Sequence, residues 1–418
     1  MGSKPRVSIS ATFKTLSSAW QDDWRQLTCT MLLSLAIIIL PFGHALGTLV
    51  LLALVLVGGW GIKTKFFGEA GMLGVPLTLS YCLIVGAELL SPNPVAITLE
   101  TAANYFPLVL TPIVYGITWR WGITLGTVIR AIAASSILMF LMALVEVGIG
   151  GQWPANGNLF ERIALDPTHF GLVAFLYASV LLNGFFINKI HFLNPIPRWL
   201  LLVAIACCFA CVLLSSTKSI WLVFGLVTVF VALYLAFASQ RRWLPPTLLV
   251  VIAISGALLF TLVPVQAVLS GLGLQLEMLF DHSQPTGLFA TRLSGWLAGI
   301  SLGNSSPIFG VGNANEILLA RDFIFLDWKL FLGQKHFYNG YVEHYAAFGL
   351  MGLLGFLILI VVPLTVQGPS WVRLFAASLF FGTSIYSMVN KFLDHDVTSA
   401  VMLVIWLTLM MVQKAATR

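Results

Sequence analysis

Lys335-His336-Phe337-Tyr338-Asn339-Gly340-Tyr341-Val342-Glu343-His344-Tyr345 packs two histidines, a lysine, an asparagine, a glutamate and three tyrosines into eleven residues. These are side chains for proton transfer and for contact with anions. An apolar run follows at once through Ala346-Ala347-Phe348-Gly349-Leu350-Met351-Gly352. Polar groups at the mouth of a membrane segment cost free energy, and as a rule they are there for a function. If the stretch is helical, His336, Asn339 and Glu343 fall at i, i+3 and i+7, on one face. The plainer reading is an interfacial belt, with Tyr338, Tyr341 and Tyr345 anchoring a helix at headgroup level.

The elements that must position this stretch are apolar. The chain has 418 residues, 59% hydrophobic and only 9% charged. That excludes a soluble domain and predicts an all-α polytopic membrane protein. The cysteines (Cys29, Cys82, Cys207, Cys208, Cys211) lie inside apolar runs without metal-ligand spacing, so they read as small packing residues. Residues 1–26 carry Lys4, Arg6, Lys14, Arg25, Trp20 and Trp24 and read as a cytoplasmic amphipathic lead-in on the membrane. The first apolar run, from about Leu27, shows no cleavage pattern after it and is expected to stay as a span.

Spans one to nine fall within 27–264, at about 27–42, 45–60, 71–90, 102–118, 122–148, 170–187, 199–214, 220–238 and 245–264. The long hydrophilic segment 265–341 follows, with an amphipathic Leu274–Phe280, a helix over Arg292–Leu302 and a turn at Gly310-Val311-Gly312-Asn313. Residues 342–418 hold spans ten to twelve, at about 342–365, 374–390 and 397–413, and a short tail. Runs of this length suit a bilayer, so the expectation is about twelve spans. With both termini in the cytoplasm, most of the 22 Lys and Arg residues fall on the cytoplasmic side, as the positive-inside rule asks. Arg162, Lys218, Arg292, Arg321, Lys329, Lys335 and Lys391 fall outside. Cations where topology disfavours them suggest a task, and the simplest is holding an anion at the outer face.

Each of these cations also has a plainer explanation. Arg162 can pair with Glu161 or Asp166. Lys218, in Ser215-Ser216-Thr217-Lys218-Ser219, can snorkel. Arg292 can pack on Trp296, four residues on. Arg321 can pair with Asp322 at the surface. Asp281-His282, Asp322 with Asp327, and Asp394-His395-Asp396 lack a spacing that defines a metal site. A transporter would place ionisable groups at mid-span; Arg130 is nearly alone there. The residues therefore describe a cationic, histidine-bearing outer site beneath a long loop, which fits transfer chemistry on a lipid-linked anion.

Four places resemble the O-antigen ligases of lipopolysaccharide assembly, within the wider ligase and polymerase superfamily of membrane glycosyltransferases. Arg162-Ile163-Ala164-Leu165-Asp166-Pro167-Thr168-His169-Phe170-Gly171 resembles the family's arginine-then-proline loop. Ser215-Ser216-Thr217-Lys218-Ser219 resembles its Ser-Arg segment, with lysine where arginine is frequent. Arg292-Leu293-Ser294-Gly295-Trp296 with Pro307-Ile308-Phe309-Gly310-Val311-Gly312 resembles its Arg-x-x-x-Trp helix and Gly-Val-Gly turn. His336-Phe337-Tyr338-Asn339-Gly340-Tyr341 with Phe348-Gly349-Leu350-Met351-Gly352 resembles its His-x-His-Asn opening and Gly-x-x-Gly span, with Tyr338 in place of the second histidine.

The resemblance implies a C-type glycosyltransferase architecture in the bacterial inner membrane, with its site on the periplasmic face. The implied reaction moves a glycan from undecaprenyl diphosphate to a sugar hydroxyl of the lipid A–core, with inversion and without metal. No cofactor and no nucleic-acid partner is implied; donor, acceptor and membrane lipids are the partners. His336 would be the general base, and histidine titrates near neutrality. Arg162 and Arg292, with Lys218 and Arg321, would hold the diphosphate. Asn339, Tyr338 and Glu343 would position His336 or the acceptor. An O-antigen polymerase or a protein O-oligosaccharyltransferase shares the donor and differs in acceptor. A transporter, or a membrane-embedded binding protein without chemistry, would break no bond.

Overall fold

The computed structural model describes residues 9–42, 44–59, 65–92, 95–150, 167–187, 196–215, 217–238, 288–313, 315–324, 336–392 and 396–417. Among them there is helix and no strand. The α-helices are α1 (Ile9–Ile39), α2 (His44–Gly58), α3 (Lys65–Leu89), α4 (Val95–Arg120), α5 (Leu125–Gly150), α6 (Pro167–Ile187) and α7 (Arg198–Leu214). They continue as α8 (Lys218–Ala238), α9 (Leu288–Ser305), α10 (Glu316–Ala320), α11 (Gly340–Val361), α12 (Ser370–Val389) and α13 (Asp396–Thr417).

Each apolar run read from the sequence falls on one of these helices, except the ninth (245–264), which lies outside the described residues together with Leu274–Phe280. Among the described residues, four helical segments are long and apolar enough to cross a bilayer: Ile97–Arg120, Leu125–Glu146, Gly340–Thr365 and Ser370–Val389. The other apolar helices are shorter. Large apolar side chains such as Leu56, Val75, Leu99, Leu141 and Leu202 point outward from these helices. In water such a surface would be a liability, whereas facing lipid it costs nothing. The chain is an integral membrane protein. One boundary differs from expectation: α1 runs unbroken across residue 26, so the described part of the lead-in and the first span form one helix.

Helix α11 is the element that the site depends on. It packs on α3 and α9, while α3 packs on α4 and α4 on α13. Ser80 Oγ donates to the Gly355 carbonyl at 2.6 Å, which draws α3 and α11 close where glycine leaves room. The helix is broken at Gly349 (φ 63°, ψ −158°). Such a break strands carbonyls before it and N–H groups after it, a heavy cost in an apolar setting. The turn around Gly310 meets that need. Val311 and Gly312 donate to the Ala346 and Ala347 carbonyls at 3.0 and 2.8 Å. Leu350 and Met351 donate to the Pro307 and Ile308 carbonyls at 2.8 and 3.2 Å.

A Cβ on Gly310 would strike the Ala347 carbonyl, and one on Gly349 the Ile308 carbonyl. The two glycine motifs are therefore halves of one joint. Glu88, fully buried at the end of α3, accepts from the Asn313 N–H at 3.2 Å and ties the turn down.

Two cores result. The larger fills the helix bundle. The smaller, formed by Ala298, Leu302, Val311, Ala320, Phe337, Val342 and Ala346, joins α9, the Gly310 turn, α10 and the start of α11.

Candidate functional site

The site lies where the chain enters α11. Phe337 is buried in the small core, which fixes the loop between His336 and Tyr338. Asn339 is the N-cap of α11: its φ of −153° is extended, and its Oδ1 accepts from the N–H groups of Tyr341 and Val342 at 3.0 and 3.2 Å. The helix begins only at Gly340, so His336, Asn339 and Glu343 do not share a helical face as i, i+3 and i+7. His336 instead meets Glu343 because the capped loop folds back over the first turn. The Phe337 N–H donates to Glu343 Oε2 at 3.0 Å, and His336 Nδ1 lies 3.6 Å from Glu343 Oε1.

Glu343 is almost wholly buried, and its second ionic partner comes from elsewhere in the chain. Lys391 Nζ sits 3.1 Å from Glu343 Oε1, itself only 8% exposed. A buried carboxylate survives when paired and hydrogen-bonded, and Glu343 has both kinds of partner. Lys391 follows the C-terminus of α12. Asn390 there gives its carbonyl to the Gly340 N–H at 3.1 Å and its Oδ1 to the Lys391 N–H at 2.9 Å.

Arg292 reaches the same corner from α9, one turn inside that helix. Its guanidinium lies 5.0 Å from the centre of the Tyr338 ring, and Nη1 donates to the Val389 carbonyl at 3.5 Å. That carbonyl ends α12, where the helix dipole favours a cation. The expected ring partner, Trp296, packs on the small core instead. Tyr338 has φ 54°, in the left-handed region that non-glycine residues seldom occupy. Held there, its ring makes an edge contact with His336, centroids 6.4 Å apart, while meeting Arg292. One strained residue thus joins an imidazole to a guanidinium.

The two histidines of the stretch separate in role. His344 is buried. The Gly340 carbonyl can only accept, so His344 Nδ1 donates to it at 2.7 Å, and Nε2 then accepts from the Tyr105 hydroxyl at 2.9 Å. Its ring stacks on Phe356, centroids 4.0 Å apart. It is a core residue, whereas His336 remains about a third exposed. The tyrosines are engaged with protein as well. Tyr341 donates to the Ser384 carbonyl at 3.4 Å, and Tyr345 donates to Asn304 Oδ1 at 2.8 Å.

Arg321 is exposed at the start of a 3-10 turn, with Nε donating to the Leu318 carbonyl at 3.0 Å. Lys218 is the first residue of α8. Arg162 lies outside the described residues, as do Asp394 and His395; Asp396 begins α13. The structure thus gathers His336, Tyr338, Asn339, Glu343 and Arg292. It adds Lys391, whose signal in the sequence was a cation on the disfavoured side of the membrane.

No curated protein matches the chain. A family model described as O-antigen ligase matches residues 202–357, which include Lys218, Arg292, Arg321, His336, Tyr338, Asn339 and Glu343 but neither Arg162 nor Lys391. Over that stretch the chain is similar to the O-antigen ligase family, the resemblance that its motifs carry.

Proposed function

We propose that this protein is an O-antigen ligase of the bacterial inner membrane, moving a glycan from undecaprenyl diphosphate to a sugar hydroxyl of the lipid A–core at the periplasmic face. The observation that carries the reading is the joining of an imidazole and a guanidinium across Tyr338, at one mouth of the bundle and inside the matched stretch.

Glu343 faces Nδ1 of His336, so Nε2 is the nitrogen that takes the proton of the acceptor hydroxyl. The acceptor oxygen attacks the anomeric carbon from the side opposite the diphosphate. The new glycosidic bond forms as the bond to the phosphate oxygen breaks, and the configuration inverts. The lipid diphosphate leaves with its electron pair. Arg292 stabilises that charge, with Arg162, Lys218 and Arg321 as further cations, so the reaction needs no metal and no cofactor. Tyr338 and Asn339 hold the loop that presents His336. Both termini lie in the cytoplasm, as the charge pattern asks, with about twelve spans and a periplasmic mouth.

The test is a reaction of purified protein with undecaprenyl-diphosphate glycan and lipid A–core in EDTA. A glycan ladder on lipid A–core is expected. No ladder from folded protein would contradict the reading. Extension of the lipid-linked glycan itself would mark a polymerase, and glycan on a protein would mark a protein O-oligosaccharyltransferase. Movement of intact donor across vesicles would mark a transporter.

A further inference from the structure

Among the described residues, Lys391 is a buried cation at the site to which the proposed chemistry gives no task. Lys391 lies on the short connection between α12 and α13, far in sequence from His336, and its ammonium is turned inward onto Glu343. Removing a lysine and a glutamate from water together is costly, and hydrophobic residues in their place would serve stability as well. A pair retained here invites a reason in the chemistry beside it. We propose that Lys391 is a positioning residue, which acts through Glu343 to orient His336 and to set the charge that its imidazole feels. The inference rests on the reading of His336 as the base.

The geometry supports this in two ways. First, the carboxylate is fixed from three directions. Oε2 receives the Phe337 N–H, while Oε1 lies between Lys391 Nζ at 3.1 Å and His336 Nδ1 at 3.6 Å. The imidazole and the ammonium thus share one oxygen. Second, the lysine is held by its own backbone. Its N–H is tied to Asn390 Oδ1, and the Asn390 carbonyl receives the Gly340 N–H at the start of α11. Hydrogen bonds therefore tie the end of α12 to the start of α11, beside the loop bearing His336. A lysine that merely filled space would not need to meet the same oxygen as the imidazole.

The electrostatic consequence has a sign. Among the described residues, the charged or titratable groups placed around His336 include Glu343 on α11, Lys391 after α12, Tyr338 beside it, and Arg292 on α9 across the Tyr338 ring. Without Lys391, the carboxylate faces the imidazole unopposed and favours the imidazolium, so His336 stays protonated to higher pH. Without Glu343, Lys391 disfavours the imidazolium, and His336 loses its proton at lower pH. Tyr338 and Arg292 are unchanged in both cases.

The test titrates the full-length protein in detergent micelles with carbon-13-labelled histidine. The chain has 7 histidines, and His336→Gln identifies the signal by its loss. Lys391→Met should raise the His336 midpoint by about one pH unit and Glu343→Gln should lower it. The double variant should lie between the two, and Lys391→Arg should stay near the wild type.

The transfer rate of Lys391→Met at neutral pH should fall about tenfold or more. Its donor KM should be unchanged, and its acidic limb should follow the titration. An unmoved midpoint in a folded Lys391→Met protein would overturn the proposal. A shift in Lys391→Arg as large as in Lys391→Met would do so as well. If Lys391→Met does not fold, the downward shift in Glu343→Gln and the retained midpoint in Lys391→Arg decide alone. If the wild type transfers nothing while the midpoints move as stated, the coupling stands and the ligase reading falls.

Discussion

The two ends of the helix bundle hold their cations by different means. At one end, Lys414 lies over the ring faces of Trp119 and Tyr115, and Arg120 lies 5.0 Å from the centre of the Trp121 ring. At the other end, Lys391 is buried against Glu343, and Arg292 is fixed by a carbonyl and a tyrosine ring. Helix α13 connects the two, beginning a few residues after Lys391 and running 22 residues to Thr417, a length of about 33 Å. An aromatic face accepts a cation at little desolvation cost and suits an anchor at a membrane interface. A buried pair demands matched hydrogen bonds and a fixed backbone. The difference separates an anchoring end from a constructed one.

The largest test of that contrast removes the same ammonium at each end. Lys391→Ala leaves Glu343 buried without its cation and should cost about 3–5 kcal/mol. Lys414→Ala loses ring contacts and should cost about 0.5–2 kcal/mol. Thermal unfolding in one detergent compares them, and equal losses would erase the distinction.

A second test concerns the joint beneath the constructed end. Gly349→Ala puts a side chain at φ 63° and into the Ile308 carbonyl, at a cost of about 2 kcal/mol or more. Gly86→Ala, on α3 with open space around it, should be neutral or stabilise by up to about 1 kcal/mol. A Gly349→Ala protein that unfolds with the wild type would show that the break in α11 is not needed.

A smaller loss, about 1 kcal/mol, is expected for Asn339→Ala, because two N–H groups lose their cap. Asn339→Asp should restore most of it, which the same unfolding measurement reads. Tyr345→Phe, which removes the hydroxyl bonded to Asn304, should cost only about 0.5–1 kcal/mol and leave transfer intact.

The helices were legible because apolar runs of bilayer length need no tertiary information. The stretch around His336 was legible too, since polar groups crowded before an apolar run stand out against such a composition. Its internal geometry was not. Helical spacing placed His336 and Glu343 on one face, but Asn339 prefers to cap, so the helix starts later and the contact comes through a folded loop. Lys391 was visible as a misplaced cation, yet nothing local ties residue 391 to residue 343. The same holds for Arg292, which finds Tyr338 across space rather than Trp296 along its own helix. The two glycine motifs could be read as a turn and a span. That the backbone of one completes the broken helix of the other is a matter of hydrogen bonds between residues 307–312 and 346–351, which no sequence period encodes.

The proposed role of His336 is to take the acceptor's proton during glycan transfer. The direct measurement is the single-turnover rate from undecaprenyl-diphosphate glycan to lipid A–core for the wild type and His336→Ala, with donor binding measured alongside. With His336 as the base, His336→Ala should lower the rate about 10²–10⁴-fold with donor affinity preserved. A His336→Ala protein that transfers at nearly the wild-type rate would contradict it.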